Sequence, residues 1–221
     1  MKTLFLKLET RNVQLMLSIG FALALFFARV KITHSIYFAF LVWNLFLAAV
    51  PYLVTQVMLA KSENIKISKV LFCSGFAVWL LFLPNSPYII TDLVHLHDNG
   101  ANLLWLDMFL IFVFALNGLL LGVLSLLDMS KLLQLRFPMS TSSIVLFSSC
   151  MLSGYGIYLG RFLRFNSWDI FTKPGSLLVE IGSSLHQPKV WLITIAFGSF
   201  LWMLFRLLQS LLGINGKSSL V

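Results

Sequence analysis

Six apolar runs, each long enough or nearly so to cross a bilayer as a helix, limit the fold of this chain more than any other feature. They lie at about 13–28, 36–59, 70–90, 103–127, 139–160 and 190–212. A hydrocarbon core of about 30 Å requires roughly 20 apolar residues in helical conformation. Charged residues make up only 11% of the chain, whereas a soluble protein carries about 25%. The sequence therefore predicts an all-α, polytopic transmembrane bundle that forms a single multi-pass domain over residues 1–221.

The positive charge of the chain is better explained by membrane topology than by a nucleic-acid partner. Lys and Arg collect in cytoplasmic segments and contact anionic lipids. With the N-terminus inside, 10 of the 16 Lys and Arg residues fall on the cytoplasmic side. We expect a cell-membrane protein whose N- and C-termini are both cytoplasmic and whose surroundings are the lipid bilayer; its oligomeric state stays open. The first run is expected to remain as an anchor, because its cleavage-like Ala22-Leu23-Ala24 triplet lies in mid-run.

The composition of individual spans predicts which of them face lipid. Residues 103–127 are dense in Leu and Phe, so we expect them to face lipid. Residues 139–160 are rich in Ser and Gly, so we expect them to lie among other helices. The pairs Gly118/Gly122 and Gly156/Gly160 have the spacing that permits close helix approach.

A first polar segment, residues 83–98, begins within the last part of the third apolar run. Pro84 and Pro87 disfavour helix in the residues before them, which predicts a break near the outer end of the span. Thr91 is expected to cap a short helix after the break. On that helix Asp92 and His95 would share a face, with Asn99 one turn further.

A second polar segment, residues 154–169, begins within the last part of the fifth run. Arg161 and Arg164 are three residues apart, which predicts a common helix face. Both polar segments emerge on the same side of the membrane, because an even number of crossings separates them. Residues 177–185 follow with an apolar stripe opposite Glu180, Ser183 and Ser184, which predicts a short amphipathic helix on the outer surface.

Several long strings of this sequence resemble a known family. They are Leu-Pro-Asn-Ser-Pro-Tyr-Ile-Ile-Thr-Asp-Leu-Val-His-Leu (83–96), Gly-Ile-Tyr-Leu-Gly-Arg-Phe-Leu-Arg-Phe-Asn-Ser-Trp-Asp (156–169), Asn-Leu-Phe-Leu-Ala-Ala-Val-Pro-Tyr (44–52) and the span from Asp107 to Leu126. They look like the bacterial integral-membrane family catalogued as domain of unknown function 1361. The resemblance covers nearly all of the chain after about residue 35 and implies a multi-pass membrane protein without an established activity.

The two polar segments support three interpretations. Asp92 and His95 have side chains that bind divalent metals, although their spacing matches no specific metal motif, and no other cofactor is expected. The same groups could act as acid and base while arginines hold an anion. Alternatively, Asp92 and Asp107 pair with Arg161 and Arg164 and close the bundle. The candidate catalytic residues are Asp92, His95 and Asp107; the candidate substrate-binding residues are Arg161, Arg164, Asn85, Tyr88, Asn166, Trp168 and Asp169.

Three functions fit this pattern, and whether the protein is an enzyme stays open. The first is a cell-envelope protein that acts at the outer interface on a lipid-linked or anionic substrate. The second is a small transporter or flippase, because broken helices are common at transporter binding sites. The third is a noncatalytic membrane assembly subunit. All three share one structural expectation: Asp92 lies within salt-bridge reach of Arg161 or Arg164, since an unpaired charge near hydrocarbon costs several kcal/mol.

The expected topology predicts which positions an impermeant maleimide reaches in intact cells. A cysteine at Asn99, in a chain without Cys73 and Cys150, should react from outside. A cysteine at Ser62 should react only after the membrane is opened. The reverse labelling pattern would contradict a cytoplasmic N-terminus.

Overall fold

The computed structural model describes residues 2–64, 68–98 and 103–213, apart from the side chains at 2–9, 63–64, 95, 97 and 98. Every regular element in these ranges is helical. The helices are α1 (Lys2–Thr33), α2 (Ala39–Asn64), α3 (Lys69–Phe82), α4 (Asn85–Tyr88), a 3₁₀ helix (Ile89–Asp98), α5 (Leu104–Gln134), α6 (Met139–Arg161), α7 (Asp169–Thr172), α8 (Pro174–Ser184) and α9 (Pro188–Leu211).

Six candidate membrane spans occur in the described part of the chain, which confirms the predicted all-α, multi-pass fold. Their bounds agree with the apolar runs to within a few residues at most ends. The spans are Thr10–Thr33, Ala39–Ser62, Lys69–Val94, Leu104–Gln134, Met139–Arg161 and Pro188–Leu211.

Helix α5 is the central helix of the bundle, and the expectation that residues 103–127 face lipid is wrong. In its most apolar 18-residue window 72% of the residues are buried, compared with 39% for α6. Helices α1, α2, α4 and α9 all pack against α5. Its Leu and Phe side chains fill both hydrophobic clusters of the core.

Helix α6 is less enclosed than its composition predicted, and two of its buried serines satisfy their hydroxyls within their own chain segment. Ser142 and Ser149 donate hydrogen bonds to carbonyls four residues earlier in their own chain, Pro138 and Val145. A hydroxyl satisfied within its own helix needs no partner on a neighbouring one. Helix α6 instead pairs with α9, where Gly154 lies against the backbone carbonyl of Thr194.

The predicted break in the third span is present and is confined to a few residues. Helix α3 ends at Phe82, a turn follows, and the single-turn helix α4 leads into the 3₁₀ helix. Thr91 does not cap a new helix as predicted; it lies inside the 3₁₀ helix and donates its hydroxyl to the carbonyl of Tyr88. The regular α-helix is therefore interrupted at residues 83–88, which we call the break segment.

The break segment is held between two helices by the glycine pairs that the sequence analysis singled out. A Cβ at Gly122 of α5 would lie 2.6 Å from the Cβ of Ser86, and one at Gly118 would lie 2.8 Å from the Ser86 carbonyl oxygen. On α6, a Cβ at Gly156 would lie 2.5 Å from Cγ of Pro84. These glycines permit close contact with an irregular backbone, which must be enclosed by protein at membrane depth.

The predicted amphipathic segment forms helix α8. Leu177 and Ile181 face the bundle, whereas Leu178 is 68% exposed. Ser184 departs from the predicted polar face, because it is buried and its hydroxyl is bonded to that of Tyr155 on α6. This contact ties the end of α8 to the bundle.

Substitution of Gly122 should destabilise the protein through the break segment. We expect Gly122→Ala to lower the free energy of unfolding by about 1–3 kcal/mol, because overpacking a filled contact has a cost of this size. Gly20→Ala in α1 is the matched control, since nothing lies within 4 Å of a Cβ built there. Thermal unfolding of the detergent-solubilised proteins measures both changes; equal melting temperatures for the two variants would contradict the packing argument.

Candidate functional site

The two ends of the bundle carry different sets of buried charges. One end contains the 3₁₀ helix, the start of α5 and the segment from 162 to 187, and we call it the Asp92 end. The opposite end contains the start of α1 and the end of α5, and we call it the Asp128 end. The candidate site residues of the sequence analysis all lie at the Asp92 end.

Asp92 lies in a polar network that joins three parts of the chain. Its side chain is buried, and one carboxylate oxygen accepts a hydrogen bond from the amide of Asn44 on α2 at 2.8 Å. The other oxygen lies 3.5 Å from a guanidinium nitrogen of Arg161, the last residue of α6. The predicted contact between Asp92 and Arg161 is therefore confirmed.

Asp107 does not belong to this pair, and its predicted pairing with Arg161 or Arg164 is wrong. Its carboxylate accepts two hydrogen bonds from Arg29 of α1, at 3.0 and 3.4 Å. Arg29 is only 4% exposed and also donates to Thr33 and to the backbone carbonyl of Ser35. Arg29 was not among the predicted site residues, because it lies just beyond the first apolar run. The pair attaches the end of α1 to the start of α5.

Arg164 differs from Arg161 in both backbone and surroundings, and the predicted common helix face is wrong. Helix α6 ends at Arg161, and Arg164 adopts a φ of 58°, in the left-handed region. That region costs a residue with a Cβ about 1–2 kcal/mol. Among the described residues, the Arg164 side chain has no hydrogen-bond or ion-pair partner. Glycine would adopt this backbone conformation more easily, so the presence of arginine at this position carries a conformational cost.

A cavity of about 860 Å³ lies beside Arg164. We call it the large cavity. Its walls are mostly apolar and come from α2, α3, α6 and α8, with the break segment between them. Arg164 is the only charged residue among the described residues that line it. The large cavity also receives polar groups from Asn44, Asn85, Tyr88, Tyr155, Asn166 and Ser167.

Four of the predicted substrate-binding residues, Arg164, Asn85, Tyr88 and Asn166, line the large cavity. Asn85 donates to the carbonyl of Phe82 and to the Ser167 hydroxyl at 3.1 Å, so it joins the break segment to the segment after α6. Trp168 packs edge-to-face against Trp43, which lines the cavity.

Asp169 has a local structural role at the start of α7. Its carboxylate accepts hydrogen bonds from the backbone amide of Asn166 at 2.7 Å and from the Thr172 hydroxyl at 2.9 Å. The Asn166 backbone bond, more than any other contact, lowers the pKa of Asp169 below its usual value. The charged carboxylate thus holds the 166–172 turn, which places Asn166 against the large cavity.

The Asp128 end contains a polar cluster that the sequence analysis did not find. Asp128 of α5 is fully buried and accepts hydrogen bonds from Arg11 at 3.0 and 3.3 Å and from Gln56 at 2.7 Å. Lys131 also lies 3.0 Å from this carboxylate. An aspartate near the end of an apolar run, on an otherwise apolar helix, was the available signal. The hydrogen-bond donors to Asp128 are side chains of the protein itself, so a structural role explains the cluster.

The metal hypothesis rests on a side chain outside the described residues. His95 lies on the 3₁₀ helix, but the description stops at its backbone, and Asn99 lies in an undescribed range. The described residues contain no group of three or more His, Cys, Asp or Glu side chains placed to hold a metal. A metal involving Asp92 and His95 stays a prediction.

Comparison with protein families supports the resemblance described above. The model of the family described as "Protein of unknown function (DUF1361)" matches residues 43–204. The chain belongs to this family. The DUF1361 match includes Asp92, Arg161 and every described residue that lines the large cavity. No curated protein and no solved structure matches the chain.

The two carboxylates at the Asp92 end should respond differently to neutralisation. Asp107→Asn leaves Arg29 charged and buried, so we expect it to lower the free energy of unfolding by about 3–5 kcal/mol. Asp92→Asn should cost less, because Arg161 has a side chain that is 19% exposed and more easily hydrated. Thermal unfolding of both variants tests the difference; a larger loss for Asp92→Asn would contradict it.

Proposed function

We propose that this protein binds an amphipathic, lipid-linked anion at the Asp92 end. The large cavity holds the apolar chain of this ligand, and Arg164 binds its anionic group. The observation that carries the proposal is Arg164, which has a left-handed backbone, no hydrogen-bond or ion-pair partner among the described residues, and a place beside a large and mostly apolar cavity.

The depth of the large cavity fits a ligand with a long apolar part. Its lining extends to Leu152 on α6, nine residues before Arg161. At about 1.5 Å per residue this corresponds to about 14 Å of helix, close to half of a bilayer core. An apolar chain seated there would lie at the depth that it occupies in the membrane.

The position of Arg164 fits an anionic head group. Arginine carries a permanent charge and a planar fork of donors that matches phosphate and carboxylate oxygens. A guanidinium without an acidic partner is available for such a ligand. In our proposal the Asp92 end lies outside the cell, where the ligand is part of the cell envelope.

Asp92 is the candidate acid–base group of this proposed site. Asn44 lines the large cavity and donates its amide to the buried Asp92 carboxylate. An amide and a guanidinium hold the Asp92 carboxylate in place, and Asn44 lies between this carboxylate and the ligand in the large cavity. In this arrangement Asn44 orients Asp92, and His95 on the same 3₁₀ helix is a second proton carrier.

Translocation of the same ligand is a second candidate function. A broken helix beside a cavity with intramembrane amides is common in transporters, and Asn44 and Asn85 both line the large cavity. Asn117 lies elsewhere, since its amide donates to the carbonyls of Val113 and Ser18. The lining of the cavity thus includes the amides of Asn44 and Asn85 but not that of Asn117.

Substitution of Arg164 should weaken binding of a long-chain anion without loss of the fold. We use fluorescently labelled hexadecyl phosphate as the probe and the full chain in phosphatidylcholine nanodiscs. Arg164→Gly relieves the left-handed backbone but removes the guanidinium, and we expect at least about a tenfold loss of affinity. Arg164→Lys should retain part of the affinity, since charge remains but the fork is lost.

The matched control is Arg136→Gln, which removes an exposed arginine from the turn that precedes α6, at the Asp128 end. It should leave probe affinity unchanged. Equal affinity of the wild type and Arg164→Gly would overturn the proposed site. In vesicles, a one-sided quencher separates the two candidate functions: a binding protein leaves inner-leaflet probe protected, whereas a translocating protein exposes it.

A further inference from the structure

Two residues that line the large cavity also face the surroundings of the protein. Val78 on α3 is 42% exposed, and Leu152 on α6 is 54% exposed. Leu47 on α2 lines the same cavity but is buried, so it belongs to the inner wall. The cavity therefore has an open side that Val78 and Leu152 border, and we call it the side opening.

The side opening lies at the depth of the hydrocarbon core. Leu152 lies nine residues before Arg161 in the span Met139–Arg161, about 14 Å of helix from its end. Val78 lies four residues before the end of α3, inside the span Lys69–Val94. Lipid chains rather than water surround a helix at this depth. An apolar cavity that opens here therefore opens to hydrocarbon.

The packing of the bundle explains why there is space between α3 and α6. Helix α3 packs on α2, whereas α6 packs on α9. The break segment joins the two sides where Pro84 lies against Gly156. Deeper in the membrane the large cavity lies between the two helices, since residues of both line it.

We infer that the large cavity takes its ligand directly from the bilayer through the side opening, and that the end of the ligand's apolar chain stays among the lipid chains. This inference rests on the proposed function and specifies the ligand as a membrane lipid. A chain that slides in sideways stays in hydrocarbon throughout, so no part of it has to enter water at a cost in free energy. The protein then sets no upper limit on chain length, because the chain end is outside the protein.

The first test asks whether bilayer chains reach the inner wall of the cavity. The full wild-type chain is placed in nanodiscs of a phosphatidylcholine that carries a photoreactive diazirine at the end of one chain. We expect labelling of Leu47, detected by peptide mass spectrometry. Leu45 is the matched background position, because it is buried in the hydrophobic core two residues away on the same helix. The head group of this lipid has no net charge, so the labelling does not depend on Arg164.

The second test closes the side opening. Leu152→Trp adds bulk at its edge on α6, and Ile144→Trp is the matched control, because Ile144 is 66% exposed on the same helix and lies outside the described lining of the cavity. We expect Leu152→Trp to lower Leu47 labelling and to weaken binding of hexadecyl phosphate at least about tenfold. Ile144→Trp should change neither quantity.

A second variant guards against a failure of Leu152→Trp to fold. Val78→Trp narrows the side opening from α3 and should have the same two effects, with Val70→Trp as its exposed control on that helix. Thermal unfolding of all four variants identifies any that is not folded. Wild-type affinity for tetracosyl phosphate, which has a longer chain, should be at least equal to that for hexadecyl phosphate.

Three outcomes would overturn the inference: equal labelling of Leu47 and Leu45, labelling that both folded Trp variants leave unchanged, or rejection of tetracosyl phosphate by a wild type that binds hexadecyl phosphate. Arg164→Gly separates the inference from the proposed function, because it should weaken hexadecyl phosphate binding and leave Leu47 labelling unchanged. Labelled Leu47 without any effect of Arg164→Gly on phosphate binding would overturn the head-group site alone. Unlabelled Leu47 with phosphate binding that depends on Arg164 would overturn the side opening alone.

Discussion

Pairing of buried carboxylates on α5 is the constraint on which the rest of the bundle depends. A charge in hydrocarbon needs a partner, and α5 carries Asp107 near one end and Asp128 near the other. Arg29 and Arg11 of α1 meet them, with the Asn117 amide and Ser18 carbonyl 3.5 Å apart in between. The two arginines are separated by about 27 Å of helix, close to the thickness of the hydrocarbon core. These contacts set the antiparallel register of α1 and α5.

The break segment interrupts this helical frame and lines the large cavity. Glycines of α5 and α6 admit Pro84 and Ser86 at distances that no side chain would permit. The irregular backbone is therefore enclosed by protein rather than exposed to lipid. It also lies between α3, which packs on α2, and α6, which packs on α9. The large cavity is found at this separation, and Gly156 of α6, which lies against Pro84, is among the residues that line it.

The three arginines at the Asp92 end illustrate how surroundings assign different roles to one residue type. Arg29 is saturated by Asp107, Thr33 and a backbone carbonyl, which makes it structural. Arg161, at the end of α6, lies 3.5 Å from the buried Asp92 carboxylate. Arg164 has no partner among the described residues and lines the large cavity.

The sequence by itself determined the six spans, the break at Pro84 and Pro87, and the meeting of Asp92 with an arginine at the end of the fifth span. These follow from local rules: hydrocarbon thickness, the missing amide of proline, and the cost of an unpaired charge. The tertiary structure alone decided that α5 is central, that Asp107 pairs with Arg29, and that Arg164 leaves the helix face of Arg161. Composition cannot reveal these, because a serine can satisfy itself within its own helix and a carboxylate can pair with any arginine in reach. Which partner it takes depends on which helices become neighbours, and that depends on packing over the whole bundle.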